Sequence, residues 1–217
     1  MRPAIHLTAM FDRQTTAWIR PAIDALARVF VRAGIGANAL TFTGLAVGWF
    51  AATAIALQMT LTGAALILVS RLFDGLDGAV ARLTEPTDRG GFLDISLDFL
   101  FYPTIPLAFA FADPANNALA AAILLAAFVG TGTSFLAFAV IAAKRGLTNA
   151  AYPNKSFYFL GGLTEATETL AFFIAMCIWP AHFALLACVF AAMCAVTIAT
   201  RVYWGWHAFA PIRKSPR

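Results

Sequence analysis

Four aspartates in two pairs are the residues of this sequence best suited to chemistry. Asp74 and Asp77 lie three residues apart, and Asp94 and Asp98 lie four apart. Residues at these spacings share one face of a helix, so each pair would direct both carboxylates the same way. The polar segment 83–90, LTEPTDRG, separates the pairs and predicts a tight connection between two antiparallel helices. Folding this hairpin would bring four carboxylates together, and a cation would have to offset their repulsion.

Small residues and one arginine follow the first aspartate pair. Gly78 and Ala81 continue nearly the same helical face and leave it bare, so that a bulky ligand could approach the backbone. Arg82 follows at once and is suited to binding a phosphate. The alternative is that the small residues serve close helix packing, as Gly and Ala often do in membranes.

The composition places these residues in a lipid bilayer. The chain has 217 residues, of which 61% are hydrophobic and 12% are charged. Soluble domains carry about 25% charged residues. Each membrane-spanning helix needs about 20 residues, so a six-helix bundle would use most of the chain.

We therefore predict an all-α integral membrane protein, a six-transmembrane-helix bundle with an N-terminal amphipathic interfacial helix. Residues 1–37 would form a cytoplasmic segment containing that helix, 38–204 the catalytic domain, and 205–217 a cytoplasmic tail. Apolar runs predict spans at about 38–58, 61–83, 90–112, 117–143, 156–178 and 181–204. Residues 11–32 combine an apolar side with a row formed by Arg20, Asp24 and Arg28, a pattern typical of a helix in the membrane interface. An ordinary surface helix docked on the bundle would show the same pattern.

The distribution of basic residues predicts the orientation. With this topology, nearly all Lys and Arg residues fall on the side that carries both termini, and the three opposite connections carry none. This asymmetry predicts that the termini and the aspartates face the cytoplasm, as in a multi-pass protein of a bacterial inner membrane. The net charge of +4 fits contact with anionic membrane lipids better than binding of nucleic acid.

The aspartates and their neighbours resemble the signature of the CDP-alcohol phosphotransferases. The run Asp74-x-x-Asp77-Gly78-x-x-Ala81-Arg82 is followed by Gly90-x-x-x-Asp94-x-x-x-Asp98. Asn38 and Thr41 also resemble an element that opens the first span in this family, although Ala37 stands where proline is usual. The six predicted spans and the preceding helix match the family as well, so the resemblance covers nearly the whole chain.

The resemblance implies a site with two divalent cations, Mg²⁺ or Mn²⁺, bound by Asp74, Asp77, Asp94 and Asp98. Asp98 would also act as general base on an acceptor hydroxyl. The cytidine diphosphate would be contacted by Gly78, Ala81, Arg82, Asn38 and Thr41; for Asn38, a helix N-cap is the alternative. The resemblance further implies a CDP-linked lipid donor and a homodimer.

The expected reaction is transfer of a phosphatidyl group from CDP-diacylglycerol to a small polar alcohol, with release of CMP. The motif recognises only the CDP part that both kinds of donor share, so the reverse arrangement stays open, in which a CDP-alcohol such as CDP-choline is attacked by diacylglycerol. A metal-dependent hydrolase has similar chemistry. An ion-coupled transporter is the alternative from another class, because intramembrane carboxylates also bind transported ions.

Two further clusters carry predictions. Arg71 would lie about 17 Å deep in its span, level with Glu165 and Glu168, so we expect it to pair with one of them. Four cations would flank the cytoplasmic route to Asp98 and could bind a phosphorylated acceptor: Arg89, Lys144, Arg145 and Lys155. The alternative for these four is contact with lipid headgroups.

Overall fold

A computed structural model of the protein describes residues 8–146 and 164–210. These residues form seven α-helices and one short 3₁₀ turn, and no strand occurs within the two described ranges. The helices are α1 Thr8–Arg32, α2 Ala37–Ala56, α3 Thr60–Leu83, α4 Asp88–Ala112, α5 Pro114–Lys144, α6 Ala166–Ile178 and α7 Phe183–Ala208, with the turn at Pro180–His182. The all-α prediction is confirmed.

Within the described residues, four segments are long and apolar enough to cross a membrane: α2, α4, α5 and the segment Pro180–Ala208 that contains α7. At 24 residues, α3 is about 36 Å long and could also cross, but it carries Arg71, Asp74 and Asp77 in its interior. The predicted fifth span, 156–178, is described only in part, since residues 147–163 lie outside the described residues. The protein is therefore helical with four candidate spans, and the count of six stays a prediction.

The first helix packs against α3. Ala27 is fully buried in a small cluster that includes Leu76 and Val80 of α3. About two turns before Ala27, Arg20 lies 3.8 Å from Asp24 in an ion pair whose arginine side chain is 60% exposed. This helix is thus docked on the rest of the molecule, and its position in a membrane interface stays a prediction.

Aromatic side chains fill the core between α4, α5, α6 and α7. Phe109 of α4 stacks on Phe183 at the start of α7, with ring centroids 4.5 Å apart. Phe172 of α6 stacks on Phe190 of α7 at 4.6 Å. Lipid is as apolar as these side chains, so tight van der Waals packing rather than exclusion from water holds such helices together.

The connection between the two aspartate helices is as short as the sequence predicts. Helix α3 ends at Leu83 and α4 begins at Asp88, so only residues 84–87 join them. The Thr87 hydroxyl caps α4 by accepting a hydrogen bond of 3.0 Å from the Gly90 amide. This cap fixes where α4 starts and therefore which face carries Asp94 and Asp98.

Helix α2 packs along both α3 and α4 and is the element that positions the two aspartate helices. Two of its glycines make the close approach possible. A methyl group on Gly44 would lie 3.3 Å from the Ser70 carbonyl oxygen of α3, and one on Gly48 would lie 2.7 Å from a ring carbon of Phe101 of α4. The Ser70 hydroxyl donates a 2.7 Å hydrogen bond to the Gly44 carbonyl and links α3 to α2.

Candidate active site

Three of the four predicted metal ligands converge at one place. Asp74 of α3 and Asp94 and Asp98 of α4 each place one carboxylate oxygen so that these atoms lie within 4.8 Å of one another. The helical spacing seen in the sequence accounts for this, because Asp94 and Asp98 lie one turn apart on α4 and face α3 across the hairpin. Three carboxylates this close repel one another unless positive charge offsets them.

The fourth aspartate, Asp77, lies next to this group but is not part of it. Its side chain is only 5% exposed, and its Oδ2 atom has no hydrogen-bond partner among the described residues. A buried carboxylate oxygen without a partner is costly, so it marks a position where a further positive group belongs.

The donor set fits a divalent cation such as Mg²⁺ or Mn²⁺. Both are hard cations that prefer carboxylate oxygens, and the site offers three converging carboxylates and the unpartnered oxygen of Asp77. Thr41, Gly44 and Leu45 of α2 line the same cavity as the three carboxylates.

Arg71 lies inside this site. Its Nη1 atom donates a 2.7 Å hydrogen bond to Asp98 Oδ1 and lies 3.4 Å from Asp74 Oδ1. Its guanidinium also packs over the Phe101 ring, with Cζ 3.9 Å from the ring centroid. The arginine therefore connects the two helices that carry the aspartates.

The predicted pairing of Arg71 with Glu165 or Glu168 is wrong. Both ion pairs described for Arg71 are made with aspartates of the site. The two glutamates form a capping box at the start of α6, in which Glu168 Oε2 accepts a 3.1 Å hydrogen bond from the Glu165 amide. Glu165 lies instead within electrostatic range of Arg201 of α7.

The residues predicted to contact cytidine diphosphate lie beside the aspartates, towards the hairpin. A methyl group on Gly78 would meet only the Nη1 atom of Arg82, at 3.3 Å, so the guanidinium of Arg82 lies over this glycine. Ala81 is half-buried and Arg82 is exposed. The bare face that the sequence predicts is therefore present at Gly78, and among the described residues only the Arg82 side chain lies close to it.

The two candidates on α2 lie at its N-terminal end. Thr41 is buried and lines the aspartate cavity, and its hydroxyl donates a 3.1 Å hydrogen bond to the Ala37 carbonyl. Asn38 is not a helix N-cap, because the cap position is Gly36. The Asn38 Oδ1 atom instead lies near Gly90 of α4, 3.5 Å from where a methyl group on that glycine would be.

The four cations predicted to bind the acceptor do not have equivalent surroundings. Arg145 caps the end of α7, donating a 2.8 Å hydrogen bond from Nη2 to the Phe209 carbonyl, and this structural role was not predicted. Lys144 and Arg89 are exposed. Lys155 lies outside the described residues.

Comparison with known proteins identifies the family to which this chain belongs. A family model described as CDP-alcohol phosphatidyltransferase matches residues 35–203. The chain is also 51% identical over 205 residues to the inner membrane protein YnjF of Escherichia coli (strain K12), a match that covers 94% of this chain and 100% of that protein. The chain belongs to the CDP-alcohol phosphatidyltransferase family.

Other similar proteins are more distant. The archaetidylinositol phosphate synthase of Methanothermobacter thermautotrophicus is 45% identical over 83 residues, which cover 38% of this chain and 41% of that enzyme. The phosphatidylinositol phosphate synthase of Mycobacterium tuberculosis, solved with CDP-DAG bound, has the same fold: its TM-score is 0.71 at 21% identity, covering 89% of this chain and 98% of that one. The same protein solved with manganese and citrate matches with a TM-score of 0.71, also at 21% identity, over 89% of this chain and 93% of that one.

Membership of the CDP-alcohol phosphatidyltransferase family makes this protein a phospholipid-synthesising transferase and replaces the transporter alternative. Its apolar helices and its bacterial relative indicate a bacterial integral membrane protein.

Several residues of the site and its surroundings are not predicted from the sequence. Ser70, Gly44, Gly48 and Phe101 support Arg71 and the aspartates, yet none carries a charge that would mark it. Arg201, which is only 8% exposed and donates a 3.0 Å hydrogen bond from Nη1 to the Thr131 carbonyl, carried a signal: it is a charged residue within a predicted span.

Proposed function

We propose that this protein transfers a phosphatidyl group from CDP-diacylglycerol to a small polar alcohol and releases CMP. The observation that carries this proposal is the convergence of Asp74, Asp94 and Asp98 next to the unpartnered oxygen of Asp77. Such a set of hard oxygen ligands suits the activation of a diphosphate, in which charge builds up on the leaving phosphate and on the attacked phosphorus.

Asp74, Asp77, Asp94 and Asp98 would hold two divalent cations, Mg²⁺ or Mn²⁺. When bound, these cations would neutralise the diphosphate and stabilise the charge that develops on it during transfer. The manganese complex of the Mycobacterium tuberculosis enzyme, which shares the fold, supports this choice of metal.

The donor would lie along the bare face of α3. Gly78 and Ala81 leave room for the cytidine diphosphate, Arg82 would bind one of its phosphates, and Asn38 and Thr41 would contact it from α2. The complex of the Mycobacterium tuberculosis enzyme with CDP-DAG supports a lipid-linked donor.

Asp98 would act as the general base. The acceptor hydroxyl oxygen attacks the phosphorus that carries diacylglycerol, the bond from that phosphorus to the CMP oxygen breaks, and the hydroxyl proton passes to Asp98. The described contacts with Arg71 use Oδ1 of Asp98, so Oδ2 is the atom we assign to the proton.

The acceptor in this proposal carries a phosphate, as glycerol phosphate or inositol phosphate does. The related archaeal and mycobacterial enzymes are named as inositol phosphate lipid synthases, which supports this chemistry. Lys144 and Arg89 are the exposed cations we assign to the acceptor phosphate, with Lys155 as a third. Arg145 is less suited, since it caps α7.

The enzyme would lie in a bacterial membrane, with its active site and both termini facing the cytoplasm. Anionic lipids would contact its basic residues. The protein would act as a homodimer.

The test is an assay of purified protein in lipid nanodiscs with Mn²⁺ or Mg²⁺ and CDP-diacylglycerol. The alcohols are glycerol phosphate, inositol phosphate, serine, glycerol and inositol, and both CMP and the lipid product are measured. We expect CMP release only with an added alcohol, and fastest with a phosphorylated one. CMP release without any alcohol would indicate a hydrolase, and product formed only from CDP-choline and diacylglycerol would indicate the reverse arrangement.

A further inference from the structure

Arg71 occupies a position that the proposed reaction does not by itself explain. Its side chain is 14% exposed, and its Nη1 atom lies 2.7 Å from Asp98 Oδ1 and 3.4 Å from Asp74 Oδ1. These two carboxylates belong to different helices, and both belong to the group of three whose oxygens converge. One guanidinium thus neutralises part of the charge that a divalent cation would otherwise have to neutralise.

The surroundings of Arg71 hold it in place. The Phe101 ring lies 3.9 Å from Cζ on one side, the Ser70 hydroxyl lies 3.3 Å from Nη2, and Ser70 is itself bound to the Gly44 carbonyl. Because Phe101 and Ser70 are fully buried, the guanidinium has little freedom to leave the carboxylates. A surface arginine, by contrast, would contribute little to a carboxylate pair.

We propose that Arg71 is a built-in counter-ion that stabilises the aspartate cluster before metal binds and weakens the affinity of the site for divalent cations. This inference rests on the proposed function, because it assumes that the aspartates bind metal. Removing Arg71 should have two physical effects. Without Arg71, the carboxylates of the metal-free protein repel one another, and a cation entering the site no longer meets the repulsion of a fixed positive charge.

The main test compares Arg71→Met with wild type by thermal unfolding in lipid nanodiscs, in EDTA and in saturating Mn²⁺. In EDTA we expect the Tm to fall by about 5–10 °C, because buried carboxylates lose their partner. Saturating Mn²⁺ should restore most of this loss, so the rise in Tm on adding metal is larger than in wild type. The Kd for Mn²⁺, measured by calorimetric titration without substrate, should fall by roughly tenfold or more.

A double variant tests the same idea without metal. In the Arg71→Met background, Asp98→Asn should raise the Tm in EDTA, because it removes one of the repelling charges. In the wild-type background the same change should not raise it, because it removes a partner of Arg71. If Arg71→Met fails to fold, the folding of Arg71→Met/Asp98→Asn supports the proposal, and a failure of both overturns it.

The matched control is Arg20→Met, which removes an arginine with a 60% exposed side chain from an arginine–aspartate pair on α1. It should match wild type in every measurement, and a change equal to that of Arg71→Met would overturn the proposal.

An equal loss of Tm in Arg71→Met with and without Mn²⁺ would make Arg71 a purely structural anchor. Weaker Mn²⁺ binding by this variant would make Arg71 a residue that positions the ligands. Either result overturns the proposal. If wild type itself binds no Mn²⁺, the metal site of the proposed function fails, which is distinct from a failure confined to Arg71.

Discussion

The Phe101 ring packs directly against the backbone of Gly48, at the point where α2 crosses α4. A methyl group on Gly48 would lie 2.7 Å from Cε2 of the ring, well inside van der Waals contact. The guanidinium of Arg71 packs over the same ring, with Cζ 3.9 Å from the ring centroid. The small residue Gly48 therefore determines where the Phe101 ring, and with it Arg71, can lie.

We predict that Gly48→Ala destabilises the protein by about 1–3 kcal/mol, because the buried Phe101 ring cannot move away without disturbing its neighbours. Activity should fall as well, since the ring supports Arg71. The control is Gly75→Ala on α3, where a methyl group would meet no atom of the described residues within 4 Å. Thermal unfolding measures both variants, and an equal Tm for the two would contradict the close packing.

We predict that Asp98→Asn folds, retains most of its Mn²⁺ affinity and loses turnover, because the amide keeps the shape of the side chain but cannot take the proton. Asp77→Asn should lower turnover and also weaken Mn²⁺ binding, since it changes the carboxylate whose Oδ2 atom has no partner among the described residues. Metal binding is measured by calorimetry and turnover by CMP release. Chelation should stop turnover reversibly; full activity at a verified metal content of zero would rule out the metal-dependent mechanism.

We predict that Gly78→Ala raises the KM for CDP-diacylglycerol by about tenfold while leaving the KM for the acceptor and the Tm nearly unchanged. The added methyl group would meet only the far end of the Arg82 side chain, so the fold accommodates it, but it occupies the surface assigned to the donor. Gly75→Ala, one turn earlier on α3, serves as the control. Equal donor KM values for the two variants would argue against donor binding at Gly78.

We predict that the adjacent residues Lys144 and Arg145 differ in role. Arg145→Gln should lower the Tm by a few degrees and leave the acceptor KM unchanged, because Arg145 binds the carbonyls at the end of α7. Lys144→Gln should raise the acceptor KM severalfold without changing the donor KM or the Tm. Kinetics with each substrate varied in turn, together with thermal unfolding, separate the two. If both variants changed both KM values equally, contact with membrane lipid would explain the charges better.

The sequence by itself was sufficient for what depends on local spacing. Helical periodicity predicted that Asp94 and Asp98 share a face, and the polar segment after Leu83 predicted the short hairpin that brings Asp74 to them. Hydrophobic runs placed α2, α3, α4 and α5 within a few residues of their observed bounds. These features follow from interactions between residues that are near one another in the chain, or from the apolar length that a membrane requires.

Only the tertiary structure decided which residues of different helices meet. The depth predicted for Arg71 matched that predicted for Glu165 and Glu168, but depth gives the height of a side chain in the bundle and not its direction around the helix axis. That direction depends on how α2 packs between its neighbours, which in turn depends on Gly44 and Gly48 permitting close approach to α3 and α4. For this reason the partner of Arg71 proved to be Asp98, and Arg145 proved to cap α7: both contacts join residues far apart in the chain, where no sequence period relates them.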